Sequence, residues 1–553
     1  MTIKSLWQSI GRSEKKFLQA VIIILIIVTA APYLYGYVAA GDRQVYTGLH
    51  ALAPGDIPVY YSYINQVKSG SDTVKDLFTA ERQNTGIFNV WWWWVGKLAG
   101  LFNLSAPLAF HLSRILVLPF FVVVVYLFVS LFFKDAIKRK VALLFILFSA
   151  GLGVYFSPFF SDLPTTTDKY LWPIDLWLTE AVTFNALYHS SHFAASLMFS
   201  IAILGVMILA LEENNWHYGI AGGLLALFYF NFHPFYAPVI YAALFVYLCY
   251  LQVQARQVDW RKIFVFMVFL ALSLPMVFYH WWVIVSEPVL ALRAMQNITT
   301  ISPLLFVFVG YGFLWLGGIL GVVYLIGKRG WQWGRFVVLA SWLVVNWILI
   351  YSPVPFGSRY IQGTHIILSI LTVSFLFWLA GYLKQKRHRF FQVFISNKVL
   401  LVVLFVLFFS MSIIFSIARD IYYFTYKPGI TNISMFIPIE IKEALDWLRF
   451  QKKGAVLADP NILAKFVPAF SQQPVFVAHG IETISYQEKL DQFKWFWSGK
   501  GGDKAKYNFL ERVNIKYVFF SPYEKSWGDY NPDNNPHLQA VFKNNMVTIY
   551  QVK

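Results

Sequence analysis

Cysteine is nearly absent. Cys249 stands alone in 553 residues and lies within an apolar run, which excludes an internal disulfide framework and a cysteine zinc site and leaves the redox compartment unread. Charge is also scarce: 13% of residues are Asp, Glu, Lys or Arg, against roughly 25% in soluble domains. No glycine-rich phosphate loop occurs, so nucleotide binding has no support. No internal repeat or low-complexity segment is visible, unlike the duplicated halves of many secondary transporters. What the chain has instead is apolar surface, with 58% hydrophobic and 19% aromatic residues.

That surface is gathered into runs at 17–39, 107–133, 141–156, 193–211, 220–232, 235–251, 263–278, 304–326, 336–350, 362–383 and 399–417. These predict about eleven transmembrane helices, since each run approaches the length a bilayer requires. From Phe193 to Ile417, His365 is the only charged or imidazole side chain inside a run. Ion-coupled transport and proton pumping place such groups within the hydrocarbon, so a surface activity fits the pattern better.

The net charge of +17 would suggest nucleic acid in a soluble chain, but here the basic residues sit in short segments beside the spans. Lys4, Arg12, Lys15 and Lys16 precede the first run, and Lys134, Lys138, Arg139 and Lys140 follow the second. Arg256, Arg261 and Lys262, then Lys328, Arg329 and Arg335, then Lys384, Lys386, Arg387, Arg389 and Lys398 follow at alternate boundaries. This predicts a multi-pass cell-membrane protein with a cytoplasmic amino terminus and an extracytoplasmic tail, and no nucleic-acid partner. The Glu212 to His217 loop departs from the pattern, although acidic residues weigh little in orientation. Val38-Ala39-Ala40 resembles a signal-peptidase site, but the preceding run is long for a signal peptide, so the segment is read as retained.

The expected organisation is a transmembrane domain at 1–418, with outer loops at 41–106 and 157–192, and an outer domain at 419–553. In the tail, an amphipathic helix at 439–450, strands at 455–458 and 474–478, helical stretches at 487–497 and strands at 515–520 and 546–552 predict a small α/β domain. Asp459 and His479 each follow a strand, a common ligand position in such sheets; Asp459 also suits a turn before Pro460.

The first outer loop carries Pro54-Gly55-Asp56-Ile57-Pro58-Val59-Tyr60-Tyr61-Ser62-Tyr63-Ile64, then Lys68-Ser69-Gly70, and Trp91 to Trp94 leading into Gly100-Leu101-Phe102-Asn103-Leu104-Ser105. This resembles the GT-C superfamily of integral-membrane glycosyltransferases, which includes polyprenyl-phosphate-dependent mannosyl- and aminoarabinose-transferase types. The resemblance implies a mainly α, polytopic fold with a large first outer loop and a C-terminal α/β domain. It implies a polyprenyl-phosphate-linked sugar donor, membrane lipid contacts, and transfer to a lipid, glycan or protein acceptor at the extracytoplasmic face. Asp56 matches the acidic residue that would deprotonate or orient the acceptor hydroxyl, work that a carboxylate suits. Many relatives carry a second acid directly after it where this chain has Ile57, so a paired-carboxylate or metal-bridged version lacks that residue here. Asp42 is the competing carboxylate, and either acid could instead cap a helix.

Other candidates lie in the remaining outer segments. Asp175 and Glu180 precede His189 and His192, whose i, i+3 spacing predicts a shared helix face. With either acid the histidines could bind a metal, contact phosphate or make structural hydrogen bonds; the cofactor is open. His233 and Arg359-Tyr360 occupy short outer turns, where Arg359 offers a forked donor to a phosphate or snorkels to lipid headgroups. Trp91 to Trp94, Trp281 and Trp282 read as an interfacial belt. The alternative functions are a non-enzymatic lipid or polysaccharide transporter, or flippase, and a membrane scaffold. Sequons at Asn103, Asn297 and Asn432 carry little without a known compartment.

Overall fold

The computed structural model describes residues 2–159, 171–329, 334–385, 398–427 and 434–553. Lys386, Arg387, Arg389, Asn432 and part of the second outer loop fall outside them. The chain divides into two units: 2–30, 114–280 and 298–419 form the first, and 31–113, 281–297 and 420–553 the second.

Each apolar run becomes helical over at least part of its length. Among the described residues, seven helices are long and apolar enough to cross a membrane, Arg12–Ala39, Ala106–Ser130, Ser191–Glu212, Pro234–Ala255, Trp260–Ser286, Gly357–Gln385 and Val399–Tyr426. Leu304–Tyr311 and Phe313–Gly327 make an eighth if counted together, although an 87° bend at Gly312 separates them. Ala136–Phe148, Trp216–Phe232 and Phe336–Ile350 are shorter.

Within the first unit, close helix packing depends on small residues. A Cβ on Gly321 would lie 2.4 Å from the Leu371 carbonyl oxygen, and one on Gly317 2.6 Å from the Thr372 side chain, so Phe313–Arg329 can approach Thr364–Gln385 closely. This is the small-residue contact that replaces hydrophobic driving force between membrane helices. Basic residues at the helix ends find acids: Arg139 pairs with Glu14 at 2.7 Å and Arg335 with Glu212 at 2.5 Å. Glu212 also accepts from Tyr247 at 2.9 Å, so the departure from the charge pattern at Glu212 has a structural partner. His365 is buried with Nδ1 2.9 Å from the Thr183 hydroxyl and Nε2 3.2 Å from Ser149 Oγ. Both imidazole nitrogens are thus engaged by hydroxyls.

The second unit contains β1 (Gln44–Tyr46) paired antiparallel with β2 (Phe436–Pro438). Its larger sheet runs in the order β3 (Ala455–Leu457), β4 (Ile515–Phe520), β6 (Thr548–Val552) and β5 (Leu538–Lys543), with only β3 and β4 parallel. Phe493, Phe496 and Trp497 from helix Tyr486–Trp497 join Leu457 and Val518 in its core. The expected 474–478 strand is instead a single parallel bridge, Val456 to Val475, carried by Val456 N–H to Pro474 and Phe476 N–H to Val456, while Val475 N–H on the other side bonds the Leu77 carbonyl of the first loop. Strand β5 and helix Asp503–Arg512 were not expected.

The first loop is integral to this unit. Helix Ile57–Lys68 starts with Pro at its second position, where a missing N–H costs nothing, and every residue from Ile57 to Val67 is buried. A Cβ on Gly96 would lie 2.5 Å from Val67 Cβ, so this glycine permits close packing by helix Val90–Leu101. Trp92 is buried and stacks 4.8 Å from Tyr60. The belt reading therefore fails for Trp92, which is core, while Trp94, Trp281 and Trp282 are exposed.

Candidate active site

In the second unit, Asp56 occupies the N-cap position of helix Ile57–Lys68 but makes no side-chain capping bond. Its carboxylate instead lies 3.4 Å from His479 Nε2, with 32% of the side chain exposed. The histidine is oriented from behind: Ile481 and Glu482 each donate a backbone N–H to Nδ1 at 3.2 Å. An Nδ1 that accepts leaves the neutral ring's proton on Nε2, so the tautomer inferred from this bonding presents N–H to Asp56. Thr483 steadies the same turn, accepting from the backbone of Ala478 and His479 and donating to the Phe78 carbonyl at 2.6 Å.

Beside this turn is a buried charged group that the sequence did not reveal. Arg293 Nε meets Glu482 at 2.5 Å and its Nη1 donates to Tyr63 at 3.2 Å. Asp76 is buried, accepts the Phe78 N–H at 2.8 Å, and leaves Oδ2 without a hydrogen bond among the described residues. Burial, then the Glu482 carboxylate, push its carboxyl up to about 7, while Arg293 and His479 pull the other way. The 281–297 segment belongs to this unit for visible reasons: Glu287 accepts backbone N–H groups of Asn84 and Thr85, and Gln296 donates to the carbonyls of Ile481 and Thr483. Asp42 sits exposed in a turn before β1.

Asp459, the other post-strand candidate, is a turn-forming residue. It accepts from Ile462 N–H at 2.7 Å and from the Trp527 indole at 2.7 Å.

In the first unit, His189 ends helix Thr183–His189, and after an extended Ser190 the next helix, Ser191–Glu212, carries His192 in its first turn. The two therefore share no helix face, because Ser190 breaks the helix and caps the second one by accepting the His192 N–H. His192 instead faces His233, with ring centres 5.5 Å apart. His233 Nε2 lies 3.0 Å from Gln362 Oε1, and the Gln362 amide nitrogen is held by Ser196 and Tyr229. The imidazole must then donate through Nε2, and its buried Nδ1 has no hydrogen bond among the described residues. Burial, with the neighbouring His192 and Arg359 charges, holds it well below the usual histidine range, so it supplies a polar contact and no charge. Gln362, unremarked in the sequence, organises this cluster.

Arg359 lies 3.9 Å from Glu180, on a short turn that also carries the buried Tyr360. Tyr360 packs edge-on to Phe235, next to His233. Asp175 accepts the Gly153 N–H at 3.0 Å, and burial pushes its carboxyl up to about 7. Among the described residues, no three His, Cys, Asp or Glu side chains gather as a metal site.

No protein-family model and no curated protein matches the sequence. Solved structures do. The Archaeoglobus fulgidus oligosaccharyltransferase tethered to an acceptor peptide is similar at a TM-score of 0.53 and 12% identity, over 92% of this chain and 69% of that one. The same organism's oligosaccharyltransferase AglB, in complex with an inhibitory peptide and a dolichol-phosphate, gives 0.52 and 11%, over 92% and 70%. The mycobacterial arabinofuranosyltransferase AftD gives 0.51 and 14%, over 96% of this chain and 40% of that one. With its apolar helices the chain is a multi-pass membrane protein, and its fold is that of the GT-C membrane glycosyltransferases.

Proposed function

We propose that this protein is a membrane glycosyltransferase that moves a sugar from a polyprenyl-phosphate donor to a lipid, glycan or protein acceptor at the extracytoplasmic face. The observation that carries the reading is Asp56: on a GT-C fold, a partly exposed carboxylate is held by an oriented imidazole instead of capping its own helix. In this reading Asp56 takes or directs the proton of the acceptor hydroxyl as the oxygen attacks the anomeric carbon. His479, 3.4 Å away through Nε2, aims the carboxylate as a positioning residue. Arg359 is assigned separately, as the guanidinium that stabilises the departing phosphate, with Glu180 setting its direction. His192, His233 and Tyr360 shape the surroundings of that group.

The test is transfer by the purified chain in nanodiscs, offered a panel of synthetic polyprenyl-phosphate sugars and read by mass spectrometry of the acceptor. Asp56→Asn should lower transfer about a hundredfold or more, the scale of losing such a group, with an unchanged melting curve. Near-normal transfer by Asp56→Asn removes this residue from the chemistry, and an inactive Asp42→Asn would then move the role to the competing acid.

A further inference from the structure

A cleft of about 260 Å³ opens in the second unit between the far end of helix Ile57–Lys68, helix Ile439–Arg449, and the ends of two membrane-length helices at Tyr37 and Ala106. Three cations line it, Lys68, Lys442 and Arg449, against one carboxylate, Asp446. That carboxylate is spent on Lys442, which donates to both its oxygens at 2.5 and 2.6 Å. Lys68 donates only to neutral acceptors, Asn103 Oδ1 at 3.1 Å and the Leu104 carbonyl at 2.8 Å, so its charge is uncompensated and one of its three N–H donors is left over. Arg449 has no hydrogen-bond or ion-pair acceptor among the described residues. Burial, then the nearby Arg449 guanidinium, lower the Lys68 ammonium from its ordinary value. Two like charges pressed toward one cleft are relieved by an anion between them.

The walls indicate what carries that anion. Tyr37 lies in the last turn of Arg12–Ala39 and Ala106 opens Ala106–Ser130, so the cleft sits where two spans meet the headgroup layer, and its remaining lining is largely aromatic and apolar. It is not the Asp56 locus, since Asp56 and Lys68 stand at opposite ends of one straight helix, about 18 Å apart along its axis. We propose that this cleft binds the phosphate headgroup of an anionic membrane lipid, with Lys68 and Arg449 as its ligands. The inference is independent of the glycosyltransferase reading.

The experiment uses the full-length chain purified in detergent and native mass spectrometry with dioleoylphosphatidylglycerol or dioleoylphosphatidylcholine added. The expected result is selective retention of the anionic lipid, weakened about tenfold by either Lys68→Gln or Arg449→Gln, the scale of one lost charge-assisted hydrogen bond. Lys504→Gln, on the exposed face of another helix, should leave retention unchanged, and melting curves should show that each variant is folded. Equal retention of both lipids, or unchanged retention in the Lys68→Gln, Arg449→Gln double variant, overturns the proposal. So does a cleft that takes radiolabelled inorganic phosphate through these residues and retains no lipid, which would make the free ion the ligand.

Discussion

The side chains that matter most in this protein are those whose bonding leaves a charge or a proton with nowhere else to go. His479 is one. Its Nδ1 is occupied by two backbone donors, so its effect on Asp56 should pass through the Nε2 contact alone. His479→Gln, which can place an amide N–H toward the carboxylate, should keep a large part of the transfer rate, while His479→Ala should lose about tenfold, the scale of one hydrogen bond to a charged group. Equal loss in both would assign proton transfer, not orientation, to the imidazole. At Arg359, Lys should restore only part of the activity lost in Ala, because an ammonium replaces a planar fork; specific activity of folded variants reads this, and unchanged turnover in Arg359→Ala would remove the residue from phosphate binding. Asp76 gives a stability prediction whose sign is fixed by its surroundings. Its folded carboxyl is raised to about 7, above an unfolded value of about 4. The folded state therefore holds more protons between those values, and stability falls as pH rises from about 4 to about 7. Asp76→Asn keeps an oxygen for the Phe78 N–H and removes the ionisation, so its melting temperature should match the parent at or below about pH 4, with the variant's lead growing as pH rises to 8. A difference that does not grow with pH would show that Asp76 is charged in the folded state.

At the scale of elements, sequence and structure agree where a local pattern suffices and diverge where a neighbour intervenes. The helix at Ile439–Arg449 and strands β3, β4 and β6 follow from amphipathic spacing and β-branched runs. The 474–478 segment has the same composition, yet it pairs with β3 at a single residue and sends its other-side N–H at Val475 to the first loop. His189 and His192 have helical spacing, but Ser190 adopts extended backbone and caps a new helix there. The 304–326 run is uniformly apolar and breaks at Gly312, whose φ of +51° and ψ of −126° suit glycine alone. A Cβ there would also lie 2.7 Å from Leu152 Cγ. Gly312→Ala should therefore destabilise the protein by about 1–3 kcal/mol, seen as a lower melting temperature in detergent. An unchanged value would mean that the bend is not set by this backbone conformation.

For the whole molecule, the distribution of Lys and Arg makes a claim about sidedness that labelling can check. In a Cys249→Ala background, Lys500→Cys in the tail should react with a membrane-impermeant maleimide on intact cells, and Lys4→Cys only after permeabilisation. The reverse pattern would invert the topology and with it the proposed face of sugar transfer. The sequence by itself determined that this is a multi-span membrane chain and where most spans lie, because hydrocarbon length and charge exclusion act through neighbours along the chain. Only the tertiary structure decided that His479 holds Asp56, that Gln362 organises His233, and that Arg293, Glu482 and Asp76 share one buried site. Each of these contacts joins residues far apart in the chain, and no local pattern of hydropathy or charge encodes which distant partner a buried polar group will find.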